Sequence, residues 1–434
     1  MADTATPQVQ ETKTRADRLK TFAGVGLGNA LEWFDWNIYA IFAPYLAAQF
    51  FSSSDQLSAV LSTLAVFAVG FAARPFGGFV FGWIADRRGR RFAMSLSVGG
   101  AAAGSLLIGI APAYGAVGAL ASLVLLLARL VQGLAHGGEL PAAQTYIAET
   151  APGRRRGLWA SLIYVSGTVG IMAGTALGAV MATVLSSSRM EAWGWRVPFV
   201  LGGLFGLYAL AMRLRMPETE AFEEESGKDV GDQDRPSMWR TLAEHRKQAL
   251  QVVGMTVGLT VAYYAWAVSA PQYAISSRGL DPAGALWAGL AANVVFLVAL
   301  PLWGALSDRI GRKPVLLVCS LGTVAVIFPL NSLVGRESWR LGLAMAIAMI
   351  FIAAGAAIVP AVYAELFPTR IRTIGVAVPY ALCVAAFGGT APYLQTWMGA
   401  ELGGAYFTAY TAMLLLISSA AIVTLPETRN RSMR

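Results

Sequence analysis

Gly82-Trp-Ile-Ala-Asp86-Arg87-Arg-Gly89-Arg90-Arg91 and Gly304-Ala-Leu-Ser-Asp308-Arg309-Ile-Gly311-Arg312-Lys313 are two copies of one motif, 222 residues apart in a chain of 434. Each closes a long apolar segment. A loop repeated between repeated apolar helices implies a chain made of two related halves. Two halves around a central cavity are suited to rocking, which exposes a site to one side of a membrane and then the other.

The composition agrees with a membrane setting. The chain is 56% hydrophobic and only 13% charged, with a mean hydropathy of +0.56, whereas soluble domains carry about 25% charged residues. A large core does not explain that deficit, because a soluble core still needs a polar surface. A spanning helix takes about 20 apolar residues. Twelve such runs lie between residues 22 and 425, with 22–50, 248–277 and 373–398 each expected to form one span. The first 20 residues are polar and contain no short apolar core with a cleavage site, so the first span is expected to stay in the membrane. The expected fold class is an all-α membrane protein of twelve transmembrane helices in two pseudo-symmetric six-helix bundles.

A net charge of +8 would also suit a nucleic-acid binder, but the location of the charge argues against one. Of 33 Lys and Arg, 26 fall in the two tails and alternate loops, five in the other loops, and two, Arg74 and Arg129, inside apolar runs. Positive loops face the cytoplasm, so both termini are expected there, in the plasma membrane (a bacterial inner membrane). Cys319 and Cys383 lie in apolar runs and imply no disulfide framework. His136 and His245 make no metal site.

The duplication extends beyond the loop. Glu149-Thr-Ala-Pro152-Gly-Arg154 is repeated as Glu365-Leu-Phe-Pro368-Thr-Arg370, and Met216-Pro217-Glu218-Thr219 as Leu425-Pro426-Glu427-Thr428. The expected organisation is a cytoplasmic tail at 1–21, a first bundle at 22–216, a cytoplasmic linker at 217–247, a second bundle at 248–425 and a tail at 426–434. The linker holds Glu223-Glu224-Glu225 and further mixed charge, and reads as a solvated tether.

Ionisable groups inside spans are costly by a few kcal/mol or more, so each needs a partner or a function. Glu32 and Asp35 stand three residues apart on one helical face, about 15–20 Å above the helix start at 1.5 Å per residue. Arg74 lies twelve residues before Asp86 on a helix running the other way, which puts it at similar depth. Either a carboxylate takes up a proton while Arg74 holds an anion, or the three form a fixed ion pair. Spacing does not rank Glu32 against Asp35. Arg129 sits inside its run with Gln132 and His136 on nearby turns, and His136 is a candidate proton or substrate ligand. The second half has almost no charge within its spans. Tyr263, Tyr264, Gln272, Tyr363 and Tyr380, with Tyr39 in the first half, are candidate substrate ligands. At the helix ends, Asp86 and Asp308 can approach the positive N-terminus of a helix in the opposite half. Arg87, Arg90, Arg309 and Arg312 can pair with Glu149 and Glu365 there, forming a gate that favours one of two states.

The pattern G-x-x-x-D-R-x-G-R-[RK], with Arg129-Leu-Val-Gln132-Gly133 and the two Pro-Glu-Thr segments, resembles the major facilitator superfamily. Gly28-Asn-Ala-Leu-Glu32-Trp33-Phe34-Asp35, Arg74-Pro75-Phe-Gly77-Gly78, Gly137-Gly138-Glu139 and Trp193-Gly-Trp195-Arg196 are similar to the metabolite:proton symporter family. That family includes permeases for 2-oxoglutarate, citrate, shikimate and proline/betaine. The resemblance implies proton-coupled uptake of a small organic acid such as 2-oxoglutarate or a related di- or tricarboxylate. It links Arg129 to proton coupling or to polar contacts between helices, beside Glu32 and Asp35, whose positions make them the candidate proton carriers. A zwitterionic osmolyte such as proline or betaine is the alternative cargo, and drug or metabolite export is another use of the same fold. A channel would lack the duplicated gating loops, and no P-loop, metal spacing or nucleophile elbow suggests an enzyme. The proton gradient is the expected energy source, with no cofactor. The expected partners are a small-molecule substrate, protons and the lipid bilayer, with no nucleic acid and a monomer as the working unit.

Overall fold

The computed structural model describes residues 15–52, 55–88, 90–137, 147, 151–214, 243–368 and 371–429. Glu149, most of the 217–247 stretch and the outer parts of both tails lie outside the described residues, as do the side chains of Asp86, Arg87 and Arg90. All regular structure among the described residues is helical. The long elements are α1 (Arg15–Ile41), α2 (Ala43–Phe50), α3 (Gln56–Arg88), α4 (Arg90–Ile110), α5 (Ala119–His136), α6 (Arg156–Val184), α7 (Arg196–Leu214), α8 (Arg246–Tyr263), α9 (Ala270–Arg278), α10 (Pro282–Ile310), α11 (Arg312–Leu333), α12 (Ser338–Leu366), α13 (Arg372–Cys383), α14 (Ala391–Glu401) and α15 (Gly404–Val423).

Eleven helical stretches among the described residues are long and apolar enough to cross a membrane. Helix α1 has 27 residues, about 40 Å at 1.5 Å per residue, and packs among them as the twelfth. Large apolar side chains such as Phe76, Ile110, Leu250, Leu302 and Met413 point outward, which suits hydrocarbon as the surrounding solvent. Trp83, Trp193 and Trp339 are exposed near helix ends, where indoles anchor at the membrane interface.

Three expected spans are broken. The 22–50 run divides at Phe42, where α2 starts with Pro44 in its first turn. The 248–277 and 373–398 runs each contain a π-helical turn, Tyr264–Val268 and Val384–Gly388. Proline is the cause in both. Pro271 and Pro392 open the next helices, and a proline ring collides with the carbonyl four residues back. The ladder therefore widens to five-residue bonds, Ser269 N–H to Tyr264 O and Gly389 N–H to Val384 O, both at 2.9 Å.

The helices before residue 214 and those after 246 meet along two seams. In one, α6 runs antiparallel to α10, with Gly157 against Gly304 at one end and Trp287 Nε1 donating to Thr183 Oγ1 (3.2 Å) at the other. In the second, α3 meets α13 and α14, with Phe71 against Gly389 and Tyr393 on a small apolar cluster of α2 and α3. Helix α1 lies parallel to α6, fastened by Asn29 Nδ2 to Ile163 O (2.7 Å) and Asn37 Nδ2 to Ile171 O (3.1 Å). The start of α1 and the end of α15 therefore lie at the same end as Gly157, called here the tail end. Helices α3 and α5 touch backbone to backbone, because Gly133 and Gly137 face the carbonyls of Gly70 and Arg74 with no room for a Cβ. This approach brings Arg74 and Arg129 into one layer.

Candidate functional site

A narrow cavity of about 10 Å³ lies between the two sets of helices, lined by Trp33, Tyr164, Thr256, Thr260, Tyr263, Tyr264, Tyr363 and Tyr380. That is room for about one water molecule, too little for an organic acid. The rings make their own scaffold. Trp33 meets Tyr263 edge-on at 5.4 Å and lies stacked on Tyr264 at 6.0 Å, Tyr164 meets Tyr263 at 5.7 Å, and Tyr363 meets Tyr380 at 5.7 Å. The π turn at Val384–Gly388 can lie against Tyr264 because Gly388 has no side chain, and a Cβ there would sit 2.7 Å from the ring. The hydroxyls of Thr256 and Tyr363 share a hydrogen bond of 2.6 Å, while that of Tyr263 is buried without a partner among the described residues.

Beside this cage, Arg74 forms an ion pair with Glu32. The guanidinium also stands next to Tyr264 and Tyr380, and its Cζ lies 5.0 Å from the Phe71 ring and 5.1 Å from the Trp36 ring. Asp35 belongs to a different network. Ser105 Oγ donates to Asp35 Oδ1 (3.0 Å), Gln132 Nε2 donates to Ser105 Oγ (2.8 Å), and Arg129 Nη1 donates to Gln132 Oε1 (2.9 Å). His136 Nε2 is 3.9 Å from Asp35 Oδ2, too far for a hydrogen bond. All of these side chains are buried. The two carboxylates of α1 thus have separate partners: Glu32 faces α3 and the cavity, and Asp35 faces α4 and α5.

Of the candidate substrate ligands, Tyr263, Tyr264, Tyr363 and Tyr380 line the cavity, with Arg74 beside it. The structure does not bring Tyr39, Gln132, His136 or Gln272 there. Tyr39 is one turn beyond Asp35 and its hydroxyl donates to Thr63 O (3.0 Å). Gln132 belongs to the Asp35 network and His136 stands beside it. Gln272 lies beyond the π turn of its span and donates to Ser276 (3.3 Å). Trp33, Tyr164, Thr256 and Thr260 line the cavity without having been singled out in the sequence. Trp33 stood next to Glu32 in a quoted motif. Tyr164 gave no signal, being one aromatic residue on a glycine-rich helix.

At the tail end, the carboxylate of Asp308 accepts the N–H groups of Gly157 (2.8 Å) and Leu158 (2.9 Å) at the start of α6. It also accepts Arg312 Nη1 at 2.8 Å. Glu365 receives Arg156 Nη1 (3.0 Å), Arg312 Nη2 (3.3 Å) and the hydroxyl of Thr428 (2.6 Å). The segment after α15 closes the cluster, with Glu427 accepting the N–H groups of Arg312 (2.9 Å) and Lys313 (3.1 Å). Partial burial raises the Glu427 pKa, but these N–H bonds and that of Arg429 outweigh it and hold the carboxyl below its ordinary value. Gly311, at φ +107°, makes the one-residue reversal that presents the start of α11 to it. Arg309 is exposed and takes no part among the described residues, because one residue of helix turns it about 100° away from Asp308. The side chains of their counterparts in the first motif, Asp86, Arg87 and Arg90, and the residue Glu149 lie outside what the structure describes.

A family model described as Major Facilitator Superfamily matches residues 25–300, and one described as Sugar (and other) transporter matches residues 222–434. The chain is 35% identical to an alpha-ketoglutarate permease of Escherichia coli, over 90% of this chain and 89% of that one. It is 31% identical to a citrate-proton symporter of Klebsiella pneumoniae, over 93% and 91% of the two chains. It is 29% identical to a proline/betaine transporter of Salmonella typhimurium, over 96% and 85%. A crystal structure of a D-xylose-proton symporter matches the fold with a TM-score of 0.73 at 20% identity, covering 96% of this chain and 99% of that one.

Proposed function

Because the chain belongs to the Major Facilitator Superfamily, it is a multi-pass membrane transporter and not an enzyme, and we propose that it is a proton-coupled symporter taking up a small organic acid by alternating access. The observation that carries this reading is the Glu32–Arg74 pair beside a narrow cavity between the helix sets. A guanidinium binds a carboxylate through two parallel hydrogen bonds, and the cavity edge offers one guanidinium already held by a carboxylate of the protein. Protonation of Glu32 releases Arg74 to the cargo, and departure of the cargo returns Arg74 to a deprotonated Glu32. Breaking a buried pair without replacement costs about 3–5 kcal/mol, so cargo and proton bind as alternatives to an empty, unprotonated site and not independently of each other. Asp35, in its own network, is a second proton site.

The names of the relatives make 2-oxoglutarate the first cargo to test, with citrate-like acids next. The zwitterion betaine is the second reading, since aromatic faces attract an ammonium group while Arg74 takes the carboxylate. The basic loops support cytoplasmic termini in a bacterial inner membrane, and on that reading the tail-end cluster is the inner gate. The proton gradient supplies the energy to a monomer, without a cofactor.

The test is uptake of labelled 2-oxoglutarate and betaine into proteoliposomes under an imposed pH gradient. Uptake is expected to collapse when an uncoupler dissipates the gradient. Uptake that persists unchanged, with no pH change accompanying it, rules out symport.

A further inference from the structure

Arg129 is 1% exposed, yet only Nη1 finds an acceptor, and Nε and Nη2 have no hydrogen-bond partner among the described residues. Ring faces stand where acceptors are expected. The guanidinium carbon lies 4.0 Å from the centroid of Trp36, 4.2 Å from Tyr39 and 5.4 Å from Phe67. Asp35 is on the same helix as Trp36, one residue before it, and among the described residues its hydrogen-bond link to Arg129 runs through Gln132 and Ser105. A buried guanidinium and a buried carboxylate gain most from direct bidentate contact, so three hydrogen bonds in series where one ion pair would serve call for a restraint. Trp36 can supply it. It is 1% exposed, its ring is wedged against Phe71 at 4.0 Å and Phe67 at 5.3 Å, and it also carries the Arg74 guanidinium at 5.1 Å. A desolvated cation over an indole face gains about 2 kcal/mol, comparable with the hydrogen bonds forgone.

We propose that Trp36, with Tyr39 and Phe67, is a cation cage that holds the Arg129 guanidinium off Asp35 and thereby leaves that carboxylate able to take up and release a proton. Its use in symport rests on the function proposed above; the cage itself does not. Among the described residues, Arg129 and His136 on α5 face Asp35, Tyr39 on α1 and Arg74 on α3 act on Arg129, and Glu32 lies one turn before Asp35 on α1. Helix α4 contributes the neutral Ser105, and α7 presents Gly202.

The experiment is infrared difference spectroscopy of the purified full-length protein in lipid nanodiscs, following the carboxyl band that Asp35→Asn removes. Two variants weaken the cage: Trp36→Leu removes the ring face, and trifluorotryptophan placed at position 36 withdraws its electrons without changing its shape. Each is expected to move the Asp35 titration midpoint by about one pH unit, tenfold in proton affinity. Trp36→Phe, which keeps a face, is expected to stay within about 0.3 unit. A midpoint unmoved by the fluorinated residue overturns the cage, and that arm decides alone if Trp36→Leu does not fold. A wild-type Asp35 that does not titrate between about pH 4 and 10 overturns it as well. Failure of the symport reading is separate: uptake then ignores an uncoupler while the Asp35 midpoint still depends on residue 36.

Discussion

At the scale of single residues, the outcome turns on helix rotation. Glu32 and Asp35 share a face by spacing, yet three residues leave them offset by about 60° around α1. That offset is enough to send Glu32 to Arg74 and Asp35 to Ser105. The sequence exposed both acids and both arginines, because charge is conspicuous in apolar runs. It did not expose the pairing, which depends on how α1 is turned against α3, α4 and α5, and that turn is set by Asn29 and Asn37 locking α1 to α6. The pairing makes a prediction. Glu32→Gln imitates the protonated acid, so exchange of cargo across the membrane without net proton movement should stay within about threefold of wild type, while accumulation driven by a pH gradient should fall about a hundredfold, the factor that loss of nearly 3 kcal/mol of coupling gives. Parallel loss of both in proteoliposome assays would show that Glu32 is structural. For Arg74→Lys, the flat fork of donors is lost. Binding of a carboxylate cargo, measured by calorimetry, is expected to weaken about tenfold or more, and unchanged affinity would remove Arg74 from the site.

At the scale of elements, run length and polarity revealed the helices but not the breaks within three of them. The π turns were hidden because the apolar composition continues through them; only Pro271 and Pro392 betray the interruption, and a proline inside an apolar run fits several geometries. Of these two turns, one puts Tyr264 in the cavity wall and the other packs Gly388 against that ring. Gly388→Ala is therefore expected to displace the Tyr264 ring and lower cargo affinity about tenfold with the fold intact, read as binding against helical content. The cap on α11 is a second element-scale device. Its Glu427 carboxyl titrates below the ordinary range, so its stabilisation is complete above the unfolded value, near 4.3 for a glutamate, and is lost as pH falls through the lower folded value. The group is partly exposed, so the gain is about 1 kcal/mol or less. Melting curves in detergent should show Glu427→Gln less stable than wild type at neutral pH, with the gap closing below about pH 4. A gap independent of pH would mean that the carboxylate charge contributes nothing to the cap.

At the scale of the whole molecule, two seams and a tail end closed by an ion-pair cluster define one state of a transporter. The duplicated motif revealed the location of the tail-end cluster, because a repeated Asp at a helix end can serve the N-terminus of a helix in the other set. It did not reveal that Thr428 and Glu427 complete that cluster, since a Pro-Glu-Thr segment after a last helix resembles any solvated tail. The cluster crosses between the helix sets through the Asp308 bonds to Gly157 and Leu158 and the Arg156 bond to Glu365, so these contacts exist only while that end is shut. Asp308→Asn removes the charge from hydrogen bonds worth about 1.5–3 kcal/mol each, and a loss of 1.4 kcal/mol already shifts a two-state population tenfold. The variant should therefore open at the tail end. A cysteine at Thr256, in a background with Cys319 and Cys383 replaced by alanine, should react with an impermeant maleimide from that side about tenfold faster than in the wild-type background. Cargo affinity should change by less than threefold, because Asp308 is remote from the cavity lining. Unchanged labelling, or a loss of affinity matching any gain in labelling, would mean that Asp308 does not act as a gate.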